Sequence, residues 1–298
     1  MERVRIGELA VSRLGLGTMS VTGSGVWGEP RDPDGARRLL RRARELGVDF
    51  FDTADSYGPA VAETLVREAL SPYDGVVVAT KGGLTRQGPG RWDRNCRPEY
   101  LRSACEASLE RLGVDRIDLY QLHTVDPAVP LEESLGALVD LQAEGKIRHI
   151  GVCNVGPADL GRARRIATIV SVQNRFSLAD RSSLDVVRIC EREGIAFIAW
   201  APLGKGALSR DRGLGAVAAT LGWTAAQAAL AWVASVSPAT IAIPGTAAVE
   251  HLEENVAAAA LRLEPQSVEE LAGHGYRHGR PGRRPARALR RVTSWVRR

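Results

Sequence analysis

Lysine is nearly missing from this chain. Lys81, Lys146 and Lys205 are the only three among 298 residues, although Lys and Arg together number 40. Arginine stays protonated, whereas the lysine amine has a pKa that a pocket can tune, so a lysine retained here points to a need for an amine. Cysteine is also sparse. Cys96, Cys105, Cys153 and Cys190 form no C-x-x-C pair and no metal-ligand spacing, which argues against a disulfide framework or a zinc site and predicts reduced thiols. No charged-then-apolar segment lies between Met1 and Val11. The longest mainly apolar stretch, Ala225 to Val236, is too short to span a bilayer and contains Gln227. A cytoplasmic protein with no membrane partner and no bound metal is expected.

Acidic residues are absent from the C-terminal end. From Gly273 to Arg298 there are nine arginines and no Asp or Glu. Removing those nine charges from the net +5 leaves the rest of the chain at −4. The basic character belongs to the tail, so it does not mark the body as a nucleic-acid binder. Residues 273–298 are expected to be a disordered basic tail, with a short basic helix over Arg287 to Arg298 as the one ordered option. Residues 1–272 are expected to form the folded domain, and the sequence leaves its oligomeric state open.

What is present is alternation. Val4 to Ile6 and Ala10 to Val11 read as a small N-terminal hairpin. Leu14 to Met19 reads as a strand. Asp32-Pro33 opens a helix whose face Ala36, Leu39, Leu40, Ala43 and Leu46 has helical spacing, and Gly47 closes it. Strand Val48 to Phe51 follows, then a helix over Ala60 to Leu70. Further strands are expected at Val76 to Ala79, Ile117 to Leu122, Ile147 to Val152, Ile169 to Val172, Ile195 to Trp200 and Thr240 to Ile243. Helical patterns open at Pro98, Leu131, Pro157, Ser183, Thr224, Val249 and Pro265, the last two closing at Ala260 and Leu271. Eight strands, seven followed directly by helical patterns, predict an α/β fold: a single (β/α)8 TIM barrel.

In such a barrel the chemistry sits at the carboxyl ends of the strands, and here those ends are unusual. Asp52 ends the second strand and Tyr57 lies five residues on, in the following loop. Lys81 ends the third strand and His123 the fourth. A free tyrosine titrates near 10 and is a poor acid at pH 7. A neighbouring ammonium favours the phenolate and should lower that value. The ammonium needs a counter-charge, which Asp52 can supply. A histidine opposite can hold a carbonyl oxygen. Together these four groups can protonate an oxygen as negative charge develops on it.

Asp52, Tyr57, Lys81 and His123, with Phe51-Asp52-Thr53-Ala54 and Gly151-Val152-Cys153-Asn154, resemble the aldo-keto reductase superfamily over Leu14 to Leu271. The resemblance implies carbonyl reduction with NADPH/NADP+, NADH being the weaker coenzyme, and a small carbonyl compound as substrate. It implies that Asn154 and Gln173, beside Cys153, hold the nicotinamide carboxamide, with Trp200 stacked on the ring. Leu203, Lys205 and Gly206 would line the pyrophosphate. Pro244, Gly245, Thr246, His251, Glu254 and Asn255 would surround the adenosine and its 2′-phosphate. Ser24 to Asp32, Tyr57-Gly58-Pro59, Arg67 to Leu70, Val172 to Arg175 and Ile243 to Thr246 are similar to the bacterial branch that includes pyridoxal reductases. An aromatic or heteroaromatic aldehyde, pyridoxal included, in a pocket walled by Trp27 and Trp92 is therefore expected, with ketones as slower substrates.

The chain departs from the family pattern at three places. Cys153 stands where Ser is common and is a weaker hydrogen-bond donor. Gly245 replaces a frequent Lys or Arg. His251 stands where Arg is usual, a weaker cation at neutral pH. Gly23-Ser24-Gly25-Val26-Trp27-Gly28 fits G-x-G-x-x-G, but Glu29-Pro30-Arg31-Asp32-Pro33 follows and no helix can start there, so the stretch reads as a loop above the first strand. The alternative on the same fold is a non-catalytic, cofactor-bound sensor or partner-binding subunit that uses the basic tail as its contact. The intact tetrad favours the enzyme.

Overall fold

The computed structural model describes residues 2–277. The chain opens with an antiparallel hairpin, β1 (Arg3–Ile6) and β2 (Leu9–Ser12), whose Val4, Ile6 and Val11 are buried. Eight parallel strands follow. The first three are β3 (Leu16–Gly17), β4 (Phe50–Asp52) and β5 (Val77–Gly82). A second hairpin, β6 (Leu84–Gly88) and β7 (Arg91–Arg94), projects from the end of β5. The barrel then continues through β8 (Ile117–Leu122), β9 (Ile147–Cys153), β10 (Ile169–Arg175), β11 (Ala196–Trp200) and β12 (Thr240–Ile243). Each strand pairs with the next in that order. Closure comes from Gly15 N donating to Ala242 O at 2.9 Å and Ala242 N donating to Arg13 O at 2.9 Å. Without an open edge, every barrel strand can be buried on both faces, as Phe50 and Phe51 are.

Ten helices among the described residues complete the fold: α1 (Pro33–Glu45), α2 (Val61–Leu70), α3 (Pro98–Leu112), α4 (Leu131–Ala143), α5 (Pro157–Ile166), α6 (Leu184–Arg192), α7 (Arg212–Thr220), α8 (Ala225–Ser235), α9 (Val249–Ala257) and α10 (Pro265–Arg277). Local chemistry marks their ends. Asp32 accepts from Gly35 N ahead of Pro33, and Thr224 and Gln227 form a reciprocal capping box on α8. Gly113 closes α3 in the left-handed region, where a side chain would be strained.

The core has two main parts, besides a small cluster of Ala54, Tyr57 and Ala62. Phe50, Ala79, Leu119, Ile198 and Ile241 fill the barrel, and the first hairpin seals its amino end through Val4, Ile6 and Val11. A larger cluster lies between strands and helices and includes Leu39, Leu65, Leu138, Val172 and Trp232. With the lower mouth filled, the carboxyl ends of the strands are left to form a site.

Several elements differ from expectation. The first strand is shorter than Leu14 to Met19, because the chain turns into a 3-10 segment over Thr18–Val21. Ala60 has φ 68°, so α2 starts one residue later. The last turn expected of α9 is a separate 3-10 segment, Ala258–Ala260. Helix α7 was not expected. Gly213 and Gly215 hide its propensity, but Asp211 caps it by accepting from Leu214 N. The β6–β7 hairpin was also missed, since its polar strands, half-buried in β6 and exposed in β7, show no apolar alternation.

Helix α10 runs five residues past the expected end of the folded domain at Ala272, through His274 to Arg277. Gly273 and Gly275 break the sequence period, yet Val268, Leu271 and Ala272 are buried and hold the helix, and extending a formed helix costs little. The expected tail beyond Arg277 lies outside the described residues. No single helix among the described residues is long and apolar enough to cross a membrane.

Candidate active site

Strand pairing places Asp52 beside Ala79, and Lys81 beside Gln121, at the carboxyl edge of the barrel. Lys81 is fully buried. Its Nζ lies 2.7 Å from Asp52 Oδ2, 2.7 Å from Thr53 O and 3.5 Å from Tyr57 Oη. Asp52 Oδ1 accepts from Gln173 Nε2 at 2.7 Å and Gln121 Nε2 at 3.3 Å. Both charges are thus paired and hydrogen-bonded, the condition under which a buried ion pair is tolerable.

Electrostatics follow from this burial. Desolvation alone would lower the Lys81 amine, but Asp52 and Tyr57 oppose it and the net shift is upward, so the ammonium is kept. Tyr57 moves opposite to expectation. Burial raises its phenol to about 12, and the Lys81 charge offsets only part of this. His123 is pushed well below its ordinary value by burial and then by Lys81, so its ring is neutral. The rings of Tyr57 and His123 meet edge to face at 5.9 Å, and those of Tyr57 and Trp92 at 6.3 Å. His123 Nδ1 is buried without a partner among the described residues. A phenol able to donate and a neutral imidazole thus face one space. These groups can deliver a proton to an oxygen held between them.

That space is a cavity of about 770 Å³. Asp52, Tyr57, His123, Trp92, Asn154 and Gln173 line it, as do Trp200, Leu203, Lys205 and Gly206. From the loop after β12 and from α9 come Pro244, Gly245, Thr246, His251, Glu254 and Asn255. Asn154, at φ 58°, donates from Nδ2 to His123 O at 3.0 Å and accepts from Trp200 Nε1 at 3.0 Å. It thereby links the ends of β8, β9 and β11.

Three expected site residues do not line the cavity, although Lys81 stands beside Tyr57 and Asp52 as expected. Lys81 stands behind Tyr57 and is not part of the cavity wall. Cys153 is buried, with Sγ 3.7 Å from Gln121 Oε1, and burial raises its thiol pKa, so it is a protonated strut behind the wall. Trp27 does not line the cavity; it bridges through backbone to Gly58 and its side chain is exposed. The sequence reading missed Met19, Ser20, Leu84 and Arg210, which do line it. Arg210 precedes Asp211 and looks like half of a surface ion pair. Asp211 instead caps α7, and the Arg210 guanidinium has no carboxylate partner among the described residues.

The donor set fits a dinucleotide. Two cations, Lys205 and Arg210, border the cavity, and amide side chains and an indole lie beside Tyr57 and His123. Among the described residues no group of three His, Cys, Asp or Glu could hold a metal ion.

A buried carboxylate behind the Tyr57 loop adds a stability signature. Asp55 Oδ2 accepts from Tyr100 Oη at 3.0 Å, while Oδ1 has no partner among the described residues. Burial, then repulsion from Glu63, raises its carboxyl to about 7. The raised folded-state value means that protonation favours the fold below about pH 4 and that this advantage is lost as pH rises towards 7. Asp55→Asn removes the titration. The stability gap between variant and wild type should therefore move in favour of the variant by about 1–3 kcal/mol between pH 4 and pH 8. Urea unfolding at the two pH values checks this, and parallel wild-type and variant curves would refute it.

Comparison with known proteins bears on most of the chain. The Aldo/keto reductase family model matches residues 13–275. An uncharacterised oxidoreductase of Schizosaccharomyces pombe is 45% identical over 273 residues, covering 91% of this chain and 89% of that protein. The pyridoxine 4-dehydrogenase of Escherichia coli is 40% identical over 275 residues, covering 90% and 96%. The crystal structure of an aldo-keto reductase from Klebsiella pneumoniae in complex with NADPH superposes with a TM-score of 0.80 at 29% identity, covering 95% and 97%.

Proposed function

The chain belongs to the aldo/keto reductase family and is an NADP-dependent oxidoreductase of carbonyl compounds, and from that premise we propose that it reduces aromatic and heteroaromatic aldehydes, pyridoxal among them, with Tyr57 as proton donor. The observation that carries the reading is Tyr57 Oη, 3.5 Å from a fully buried Lys81–Asp52 pair and facing a cavity shared with neutral His123.

NADPH, when bound, supplies the hydride. His123 donates a hydrogen bond to the substrate oxygen and orients the carbonyl carbon. Tyr57 passes its proton to that oxygen as negative charge builds. The alkoxide is far more basic than a phenolate, so a phenol raised to about 12 remains a competent acid. Lys81 then stabilises the phenolate, and Asp52 holds the ammonium in place. Asn154 and Gln173 would hold the carboxamide with the N–H and lone pairs their internal bonds leave free, and Trp200 would hold the nicotinamide ring.

Lys205 would meet the pyrophosphate, and Arg210 would offer the 2′-phosphate the cation missing at Gly245. A β-carbon at Gly245 would come within 2.8 Å of Ser20 Oγ and 3.0 Å of Gly17 O, so a longer side chain does not fit there without displacing its neighbours. Arg210→Ala should cut kcat/KM for NADPH by about 10–100-fold, matching the ~1.5–3 kcal/mol of a charged hydrogen bond, and leave NADH nearly unchanged. Equal losses with both coenzymes would refute this.

The aldehyde class rests on Trp92 at the cavity wall, on Leu84 and Met19 lining the same cavity, and on the likeness to a pyridoxine 4-dehydrogenase. Pyridoxal and 4-nitrobenzaldehyde should be run beside the matching ketones. We expect the aldehydes to lead in kcat/KM. Ketones ahead by about tenfold, or ~1.4 kcal/mol in the transition state, would overturn the substrate class and leave the family standing.

A further inference from the structure

We propose that Arg86 is a positioning residue that binds three loops into one substrate-side wall and holds both Tyr57 and Trp92 in place. Arg86 sits on β6, and its side chain spends every donor it has on backbone carbonyls. Nε donates to Arg91 O at 3.0 Å. Nη1 donates to Val26 O at 2.6 Å and Ser56 O at 3.2 Å. Nη2 donates to Gly25 O at 2.7 Å and Gly88 O at 3.2 Å. A guanidinium has five N–H groups, and all five are used. The acceptors come from the loop after β3, the residue just before Tyr57, and the turn of the β6–β7 hairpin.

The planar face is used as well. Cζ lies 3.7 Å from the Trp92 ring centroid and 5.9 Å from that of Trp27. Trp92 in turn meets Tyr57 edge-on at 6.3 Å. One side chain therefore touches the carbonyl that precedes Tyr57 and the indole that packs on its ring. Arg86 makes no ion pair with a carboxylate among the described residues, and burial lowers its pKa, so its charge serves the carbonyl dipoles and the indole alone.

Residues 56–58 are buried, but the hairpin and the tip of the loop after β3 have little else to hold them. Trp92 is more than a third exposed and β7 is exposed along its length. Besides Arg86, the ties between these loops are the packing of Val26 on the cluster of Ala54, Tyr57 and Ala62 and backbone bonds such as Gly90 N to Gly25 O at 2.9 Å and Gly28 N to Gly58 O at 2.6 Å. None of these fixes the Trp92 ring. Lysine could not substitute, because its three donors radiate from one point and cannot span a fork or stack on an indole. This inference deepens the reading of the cavity as an aldehyde site and rests on that reading for its kinetic test only.

Arg86→Ala and Arg86→Lys decide it through two independent readouts. The first is amide hydrogen exchange, which needs no substrate. Residues 23–28, 56–58 and 84–94 should exchange at least about tenfold faster in both variants while the barrel strands keep their protection. Low-millimolar guanidinium chloride should restore protection to Arg86→Ala, where a hole remains, but not to Arg86→Lys. The second is kinetic. For 4-nitrobenzaldehyde, which leans on Trp92, kcat/KM should fall by about 10–50-fold, mainly through KM; for propanal, which does not reach the indole, it should fall by less than about threefold, with the Kd of NADPH unchanged.

Unaltered exchange in the three segments, or faster exchange spread through the barrel strands, would overturn the proposal. So would equal kinetic losses on the two aldehydes. If wild type reduces neither aldehyde, the substrate reading fails, and the exchange data still decide the role of Arg86.

Discussion

Tyr57→Phe should lower kcat for carbonyl reduction by about 10²–10⁴-fold, the range expected if Tyr57 is the general acid, and leave the Kd of NADPH within about a factor of two. The substitution removes one oxygen and keeps the ring that packs on Trp92 and His123. Single-turnover rates and fluorescence titration with NADPH separate the two effects. Wild-type pH behaviour should agree. With the phenol at about 12, Tyr57 is protonated throughout pH 6–9, so reduction is flat over that span. Alcohol oxidation needs the phenolate and should rise about tenfold per pH unit there. A Tyr57→Phe enzyme that keeps wild-type turnover on a confirmed substrate would remove Tyr57 from the mechanism.

Lys81→Met tests the support behind the phenol. The lysine is fully buried, and its Nζ pairs with Asp52 at 2.7 Å. Removing it strands a buried carboxylate. Breaking such a pair costs about 3–5 kcal/mol, or a fall in Tm on the order of 6–15 °C. The lower half of that range is expected, because Gln173 and Gln121 still donate to Asp52 Oδ1. Adding Asp52→Asn removes the stranded charge and should recover most of the stability. It should not recover turnover, since the phenolate still lacks its ammonium. Denaturant unfolding and NADPH oxidation on both single variants and the double variant make the cycle. A double variant as unstable as Lys81→Met would show that the pair is not what the fold depends on.

The barrel could be read from the chain because each strand and helix carries its own signal. Phe50-Phe51 before Asp52, Pro33 after Asp32, and Gly47 after Leu46 are local statements, and the structure agrees with each. The elements that were missed carry weak local signals. Helix α7 holds two glycines, and the β6–β7 hairpin shows charged strands without apolar alternation. Helix α10 outruns its sequence period because buried Val268 and Leu271 anchor it to the rest of the fold.

Residue types and their order were enough to bring Asp52, Tyr57 and His123 to one cavity with Lys81 behind them, because a parallel barrel sends every strand end to the same mouth. The direction of the Tyr57 shift was not available that way. It is a contest between burial and the Lys81 charge, and burial depends on neighbours far apart in the chain. For the same reason Trp27 and Cys153 fell outside the cavity, and Arg210 and Arg86 went unnoticed. Two arginines that look alike in sequence differ in what surrounds them. Arg210 borders the cavity without a carboxylate partner among the described residues, while Arg86 is saturated by carbonyls from three loops. The chain's order determined which groups could meet; only the packing of loops in space decided which of them face the substrate, because side-chain direction and desolvation are properties of the assembled fold.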